Sequence, residues 1–272
     1  MNKISLTGDL GSGKSTVAAL IIPVLGAELY STGKQVRALA AEAGMGIKEF
    51  NEYMVSHPEI DKQIDDGLVA LSDDEGAWVF DSRMAWHFVR GTFKVYLSAE
   101  EEIASIRIRN AKRAGESSAD IDAAIKETRD RRNSERLRYK TQYGVDVKDL
   151  SNYSLIVDTT YVTPEQVAAT ILSCYDRWRT DNSLKMCYIA PERLNFIDDE
   201  QDGELVAEYA EKLELDEPIP EVTVFEEDGS FYVQDGTEVA LAYALNFVSL
   251  VPVRLVEGKS EGKKYVRMKD SL

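Results

Sequence analysis

Gly8-Asp9-Leu10-Gly11-Ser12-Gly13-Lys14-Ser15, followed by Thr16, fits the spacing G-x-x-x-x-G-K-[S/T] at every fixed position. Glycines let a backbone curl so that successive N–H groups point inward at phosphate oxygens. The pattern therefore assigns Gly8, Gly11, Ser12, Gly13, Lys14, Ser15 and Thr16 to the phosphates of ATP. Lys14 is expected to reach the β- and γ-phosphates, and the Ser15 hydroxyl to ligate Mg²⁺. Ile4-Ser5-Leu6 before the loop alternates like a strand, and Val17-Ala18-Ala19-Leu20-Ile21-Ile22 after it reads as a helix. A loop so placed opens onto a helix N-terminus, where the macrodipole and unpaired amides favour an anion. A nucleotide-binding protein is expected.

The chain of 272 residues is long enough for two modest domains, and 44% hydrophobic residues supports a core. A net charge of −16 argues against bulk affinity for nucleic acid or an anionic membrane. The charge is uneven: residues 1–185 carry 24 Lys/Arg against 28 Asp/Glu, and residues 186–272 carry 8 against 20. That shift marks a boundary near Asp181-Asn182-Ser183. The two cysteines, Cys174 and Cys187, form neither a disulfide framework nor a metal-ligand spacing. The N-terminus enters the first strand without a leader, and no apolar run approaches a membrane span, so a soluble, cytoplasmic protein is expected.

Strand patterns at Ala27–Tyr30, Ala77–Phe80, Phe93–Leu97 and Leu155–Thr159 alternate with helical ones. The helical stretches cover 47–72 with a break at His57-Pro58, roughly 99–143 with Ser98 as N-cap, and Pro164–Arg179. This alternation predicts an α/β fold with a parallel sheet flanked by helices over residues 1–180. From about 186 to 258 the pattern changes to a small α+β domain. An acidic helix near 202–215 precedes a hairpin of Val222–Phe225 and Phe231–Val233, a helix Glu238–Asn246 and a last strand, Leu250–Val256. Pro252 implies that this strand lies at an edge or that the proline is at its start. Residues 259–272 read as a polar, frayed tail.

Phosphoryl transfer needs an acceptor site, a carboxylate on the magnesium side and cations around the transferred group. Asp81 ends an apolar strand, where it would face the phosphate loop and hold Mg²⁺. Arg83, and Arg37 beside Thr32 at a helix start, suit an acceptor phosphate. Between residues 107 and 140 lie 11 Lys/Arg, an excess that reads as an arginine-bearing lid hinged at Gly115-Glu116-Ser117-Ser118. His57 and His87 lack metal-type spacing, and Trp78, Trp86 and Phe88 read as core or pocket wall.

These stretches together resemble the cytidylate kinase family in its archaeal-type branch, over about the first 175 residues. The match runs through Gly8–Thr16, Ser31-Thr32-Gly33 with Arg37, and His57-Pro58-Glu59-Ile60-Asp61-Lys62-Gln63-Ile64-Asp65. It continues through Asp81-Ser82-Arg83, Arg131-Arg132-Asn133-Ser134-Glu135-Arg136, Tyr143-Gly144-Val145-Asp146 and Val157-Asp158-Thr159. The resemblance implies transfer of the γ-phosphate of ATP, with Mg²⁺, to a pyrimidine nucleoside monophosphate, CMP or dCMP. It places Thr32, Gly33, Arg37, Asp65 and Arg83 around the acceptor, and Ser15 and Asp81 at the metal. Lys14 falls on the donor phosphates, with Arg131 or Arg132 meeting the transferring group. Ser82 stands where the family usually carries glycine, and Lys34 where bacterial members carry a small residue. A P-loop kinase for another small acceptor, or a nucleotide-binding regulatory module, are the alternative readings.

The C-terminal segment is similar to the ParB/sulfiredoxin fold in Ile189–Arg193, Pro218-Ile219-Pro220, Asp235-Gly236 and Val251-Pro252-Val253. After the Asp-Gly turn, Thr237-Glu238-Val239 replaces the arginines that this family often places there. The resemblance therefore carries the fold and not the activity. An acidic domain of this kind is expected to dock a protein partner, a sister subunit or the chain's own kinase domain.

Overall fold

A computed structural model describes residues 2–111, 121–199, 201–260 and 262–271. The chain divides into two compact units: Met1–Leu155 with Pro164–Leu184, and Ile156–Thr163 with Lys185–Leu272.

The first unit runs β1 (Lys3–Gly8), α1 (Lys14–Leu25), β2 (Glu28–Ser31), α2 (Thr32–Glu42), α3 (Ile47–Val55) and α4 (Pro58–Ala70). It continues through β3 (Trp78–Asp81), α5 (Ala85–Phe88), β4 (Phe93–Ser98), α6 (Glu101–Asn110) and α7 (Ile121–Tyr143). Next in the chain comes β5 (Leu155–Asp158), of which the residues from Ile156 on belong to the second unit, and then α8 (Pro164–Thr180), which returns to the first. Strands β4-β1-β3-β2 are adjacent in that order and parallel throughout. Apolar side chains of β1, β3 and β4, among them Ile4, Leu6, Val79, Val95 and Leu97, are completely buried. Ser5 and Thr7, on the alternate positions of β1, are buried as well, so the sheet is covered on both faces. Val17 and Ile21 of α1 and Ile171 of α8 are buried too, and Phe93 packs against Tyr175 and Trp178 with ring centroids 5.6 and 5.3 Å apart. Ala40, Phe50, Met54 and Ile64 join α2, α3 and α4 into a second apolar cluster.

Pro58 opens α4, where a missing N–H leaves no helical bond unmade. Within the charged stretch 99–143 the described residues form α6 and α7, and Arg113 with the expected hinge Gly115–Ser118 lies outside the described residues. One local expectation is corrected. Ser98 is the last residue of β4 and does not cap α6, which starts after Glu100 in extended backbone. Trp86, expected in the core or a pocket wall, is buried 5.4 Å from the Tyr153 ring and is part of the core.

The second unit contains β6 (Met186–Ile189), β7 (Leu194–Ile197), α9 (Gly203–Glu214), β8 (Val222–Glu227), β9 (Ser230–Asp235), α10 (Thr237–Leu245), β10 (Val251–Leu255) and β11 (Tyr265–Arg267). Its strand order is β11-β7-β9-β8-β10-β6-β5. Strand β10 is interior, antiparallel to β6 and parallel to β8, so Pro252 marks a strand start and not an edge. The proline is tolerated because pairing with β8 begins one residue later, at Val253. The tail is not frayed: β11 pairs with β7, and Met268 is fully buried. A buried cation anchors this unit. Arg193 donates to Thr160 Oγ1 (2.9 Å) and to the Gly229 carbonyl (2.7 Å), and lies 3.6 Å from Asp158, which has no exposed surface.

Candidate active site

The site forms where parallel strands end. Gly8 ends β1 and Asp81 ends β3; Asp81 is in register with Leu6 on one side and Ser31 on the other. Ligands of open α/β sheets bind at this carboxyl edge. Gly8 has φ 144°, and a Cβ there would run into the backbone of Leu97, so no other residue fits. Gly11 and Gly13 take φ 76° and 82°, the left-handed turn that carries the chain into α1. No side chain caps α1, which leaves its first turn open to an anionic ligand.

Lys14 is half-buried and folds back over the loop. Its Nζ donates to the carbonyls of Gly8 (3.0 Å) and Asp9 (2.7 Å) and to Ser12 Oγ (3.3 Å). Burial and the nearby Arg83 lower its pKa to about 8, against the opposing pull of Asp81, Asp9 and Glu135. The loop's own carboxylate, Asp9, is buried. It accepts from Tyr96 Oη (3.0 Å), the Ala99 amide (3.0 Å) and Lys148 Nζ (2.6 Å). Burial alone would raise its pKa, but Lys148 and these hydrogen bonds hold it below the ordinary value.

Ser15 Oγ donates to Asp81 Oδ2 at 2.7 Å. A hydroxyl and a carboxylate so close suit a hard cation that keeps several waters and takes its other ligands from phosphates. Among the described residues, no group of three or more His, Cys, Asp and Glu forms an all-protein metal cage.

One cavity gathers Thr32, Gly33, Arg37, Asp65 and Arg83 from α2, α4 and the β3–α5 loop. Ser31 caps α2 by accepting from the Lys34 amide, and Thr32 Oγ1 lies 3.5 Å from the Asp81 carbonyl. Helix α7 adds Arg131, Glu135, Arg138 and Tyr139 to the wall, a set at helical spacing on one face. Arg83 forms an ion pair with Glu135, and Arg131 Nε is 3.2 Å from the same carboxylate. Arg132 turns away to Glu101 (2.9 Å), and Arg136 meets Asp146 (2.5 Å). Asp65 accepts a hydrogen bond from Tyr143. Burial lifts its pKa to about 6, with Asp61 adding to the effect and the Tyr143 bond opposing it. A neighbouring cavity of about 610 Å³, within the range of small-molecule sites, shares Ile47, Asn51, Arg131, Glu135 and Arg138.

Sequence reading missed Asp61 and Arg138 as a pair. Asp61 Oδ2 and Arg138 Nε form an ion pair at 3.3 Å in the wall of this Arg37–Arg83 cavity, both atoms buried and without a hydrogen bond. The i, i+4 step from Asp61 to Asp65 was the signal that would have placed both carboxylates on one helix face. Glu135 and Lys148 were missed as well, because their partners are remote in sequence.

The AAA domain family matches residues 4–138. Cytidylate kinase from Thermoplasma volcanium is 35% identical over 178 residues, which make up 64% of this chain and 91% of that protein. The S-adenosylmethionine-dependent nucleotide dehydratase of Lacinutrix mariniflava is 36% identical over 176 residues, covering 64% of this chain but 36% of the dehydratase. Among solved structures, an uncharacterized protein from Eubacterium ventriosum superimposes with a TM-score of 0.51 at 13% identity, covering 65% of this chain and 99% of its own. That likeness shows the fold alone. With nine-tenths of a cytidylate kinase matched and a phosphate loop, a Ser15–Asp81 hydrogen bond and an arginine-lined cavity in one unit, the chain belongs to the cytidylate kinase family.

Proposed function

We propose that the first unit transfers the γ-phosphoryl group of ATP to a pyrimidine nucleoside monophosphate, CMP or dCMP, releasing ADP. The observation that carries this reading is the cavity that combines Arg37 and Arg83 with the buried orphan atoms of Asp61 and Arg138. Arginines suit the acceptor's phosphate. A carboxylate acceptor beside a guanidinium donor suits the edge of cytosine, whose exocyclic amine donates next to ring atoms that accept. Uracil presents a carbonyl in place of the amine, and would face Asp61 with like polarity.

ATP, when bound, supplies the phosphoryl group, and Mg²⁺ neutralises charge on its phosphates. Lys14 and the loop amides bind and orient the donor. Ser15 and Asp81 would hold the metal. Arg131 and Arg132 supply positive charge from α7, and the helix face shields the acceptor from water. The chemistry consists mainly of positioning and charge stabilisation, so no general base is assigned.

The second unit is read as a ParB/sulfiredoxin-like docking module with no activity of its own. Support comes from the β8–β9 hairpin leading through Gly236 into α10, and from the acidity of residues 186–272.

The test is a coupled ADP-release assay with ATP, Mg²⁺ and each nucleoside monophosphate in turn, with Lys14→Ala as control. Selective turnover of CMP or dCMP, lost in the control, is the expected result. Turnover of none of them, with ATP still bound, would reject the kinase reading.

A further inference from the structure

Glu135 lines the acceptor cavity, the larger cleft beside it and a small cavity against the phosphate loop. It is charged and largely buried, with 15% of the side chain exposed. Its two oxygens are divided between two guanidiniums from different elements: Oε2 pairs with Arg83 and Oε1 lies 3.2 Å from Arg131. Two anionic oxygens bridging two arginines is also how a phosphate would sit between them. An ion pair that only braced the fold would gain nothing from a residue that lines three cavities.

Resting on the acceptor-site reading above, we propose that Glu135 is a resident anion, holding Arg83 and Arg131 before substrate arrives and yielding them to the acceptor's phosphate. The carboxylate and a phosphate dianion cannot share both guanidiniums, because like charges at that separation repel strongly where water is scarce. Arg138, three residues on along the same face of α7 and ion-paired with Asp61, would share its charge with the displaced carboxylate. Such an arrangement keeps two arginines of the site folded and paired without substrate. It also disfavours small anions, which bring no nucleoside contacts to offset the exchange. Glu135 is thus a positioning residue that sets how tightly the phosphate end of the acceptor binds.

The test is calorimetric binding of CMP and of cytidine to the full chain and to its E135Q, E135D and R83Q variants. E135Q keeps the shape of the side chain and removes its charge. It should bind CMP about tenfold tighter than the unaltered chain does, with cytidine affinity unchanged. E135D, which retains the competing anion, should stay within about threefold of the unaltered chain for both ligands. Weaker or unchanged CMP binding by E135Q, together with loss of CMP binding in R83Q, overturns the inference and leaves the acceptor reading standing. CMP binding in R83Q equal to that of the unaltered chain, or no CMP binding by the unaltered chain, overturns both. A second measurement needs no variant to fold: the Arg83 Nε–H resonance of the unaltered chain should shift with saturating CMP and stay in place with cytidine. A resonance unmoved by CMP overturns the inference.

Discussion

Lys148 Nζ lies 2.6 Å from Asp9 Oδ1, so a carboxylate within the phosphate loop is neutralised by a residue 139 positions away. A buried anion beside a phosphate site would otherwise repel the ligand the loop is shaped to take. Lys148→Met should destabilise the first unit by about 3 kcal/mol, because it leaves Asp9 buried with no cationic partner. The double variant with Asp9→Asn should recover most of that loss. Urea unfolding of the two variants measures both, and equal stability would reject the pairing as the cause.

Lys14 is charged below about pH 8 and loses its proton above it. Donor phosphates favour the charged form, so ATP binding at pH 8.5 should be accompanied by proton uptake, and ATP affinity should fall as pH rises beyond 8. Calorimetry in two buffers of different ionisation enthalpy reads the uptake directly. Lys14→Ala should abolish it.

Asp65 has its folded-state pKa raised to about 6, chiefly by burial. The folded state therefore holds a proton more tightly than the unfolded chain does, and Asp65 costs stability progressively as pH rises from 4 through 6. Asp65→Asn should stabilise the first unit by about 1 kcal/mol at pH 7, a value discounted for solvent screening of a half-exposed group. The gain should vanish near pH 4. Thermal unfolding at both pH values is the check, and an equal gain at both would disprove the linkage.

Arg131 and Arg132, neighbours in sequence, go to different carboxylates, Glu135 and Glu101. If both add positive charge around the transferring group, R131A and R132A should each lower kcat by about a hundredfold while ATP affinity changes only a fewfold. Unchanged turnover in both would count against their role.

In the second unit, Arg193 is the cation nearest the fully buried Asp158, whose pKa burial raises and Arg193 partly restores. R193M should cost about 3 kcal/mol, and R193M with D158N clearly less, since removing both charges leaves none stranded. Chemical denaturation of the full chain compares them.

How much of this was legible depends on distance along the chain. The phosphate loop, Asp81 and Arg83, and Thr32 with Arg37 were readable because each set is contiguous or lies within one turn. A strand followed by its loop shows itself locally. The roles of Glu135, Lys148 and the Asp61–Arg138 pair emerge only when α4, α7 and the loop after it are brought to the sheet edge, which no local pattern encodes. Strands β6, β7 and β11 escaped notice for a related reason. Each has three or four residues, too few for alternation to stand out, and each is defined by its neighbours. Pro252 left two readings open because its effect depends on where pairing begins, not on the residue alone.

The division of the chain gives residues 156–163 to the second unit although helix α8, which follows them, belongs to the first. Translation delivers these pieces in a fixed order. The ribosome releases 156–163 while Arg193, the counter-ion of Asp158, is still unmade, so for a time the nascent chain carries a carboxylate whose burial has no compensating charge. Water must hold that segment until residues beyond 185 emerge. The first unit therefore reaches its final helix with part of the second still waiting inside its own sequence. A stop codon placed after α8 would leave Asp158 without Arg193, removing more than an appendage.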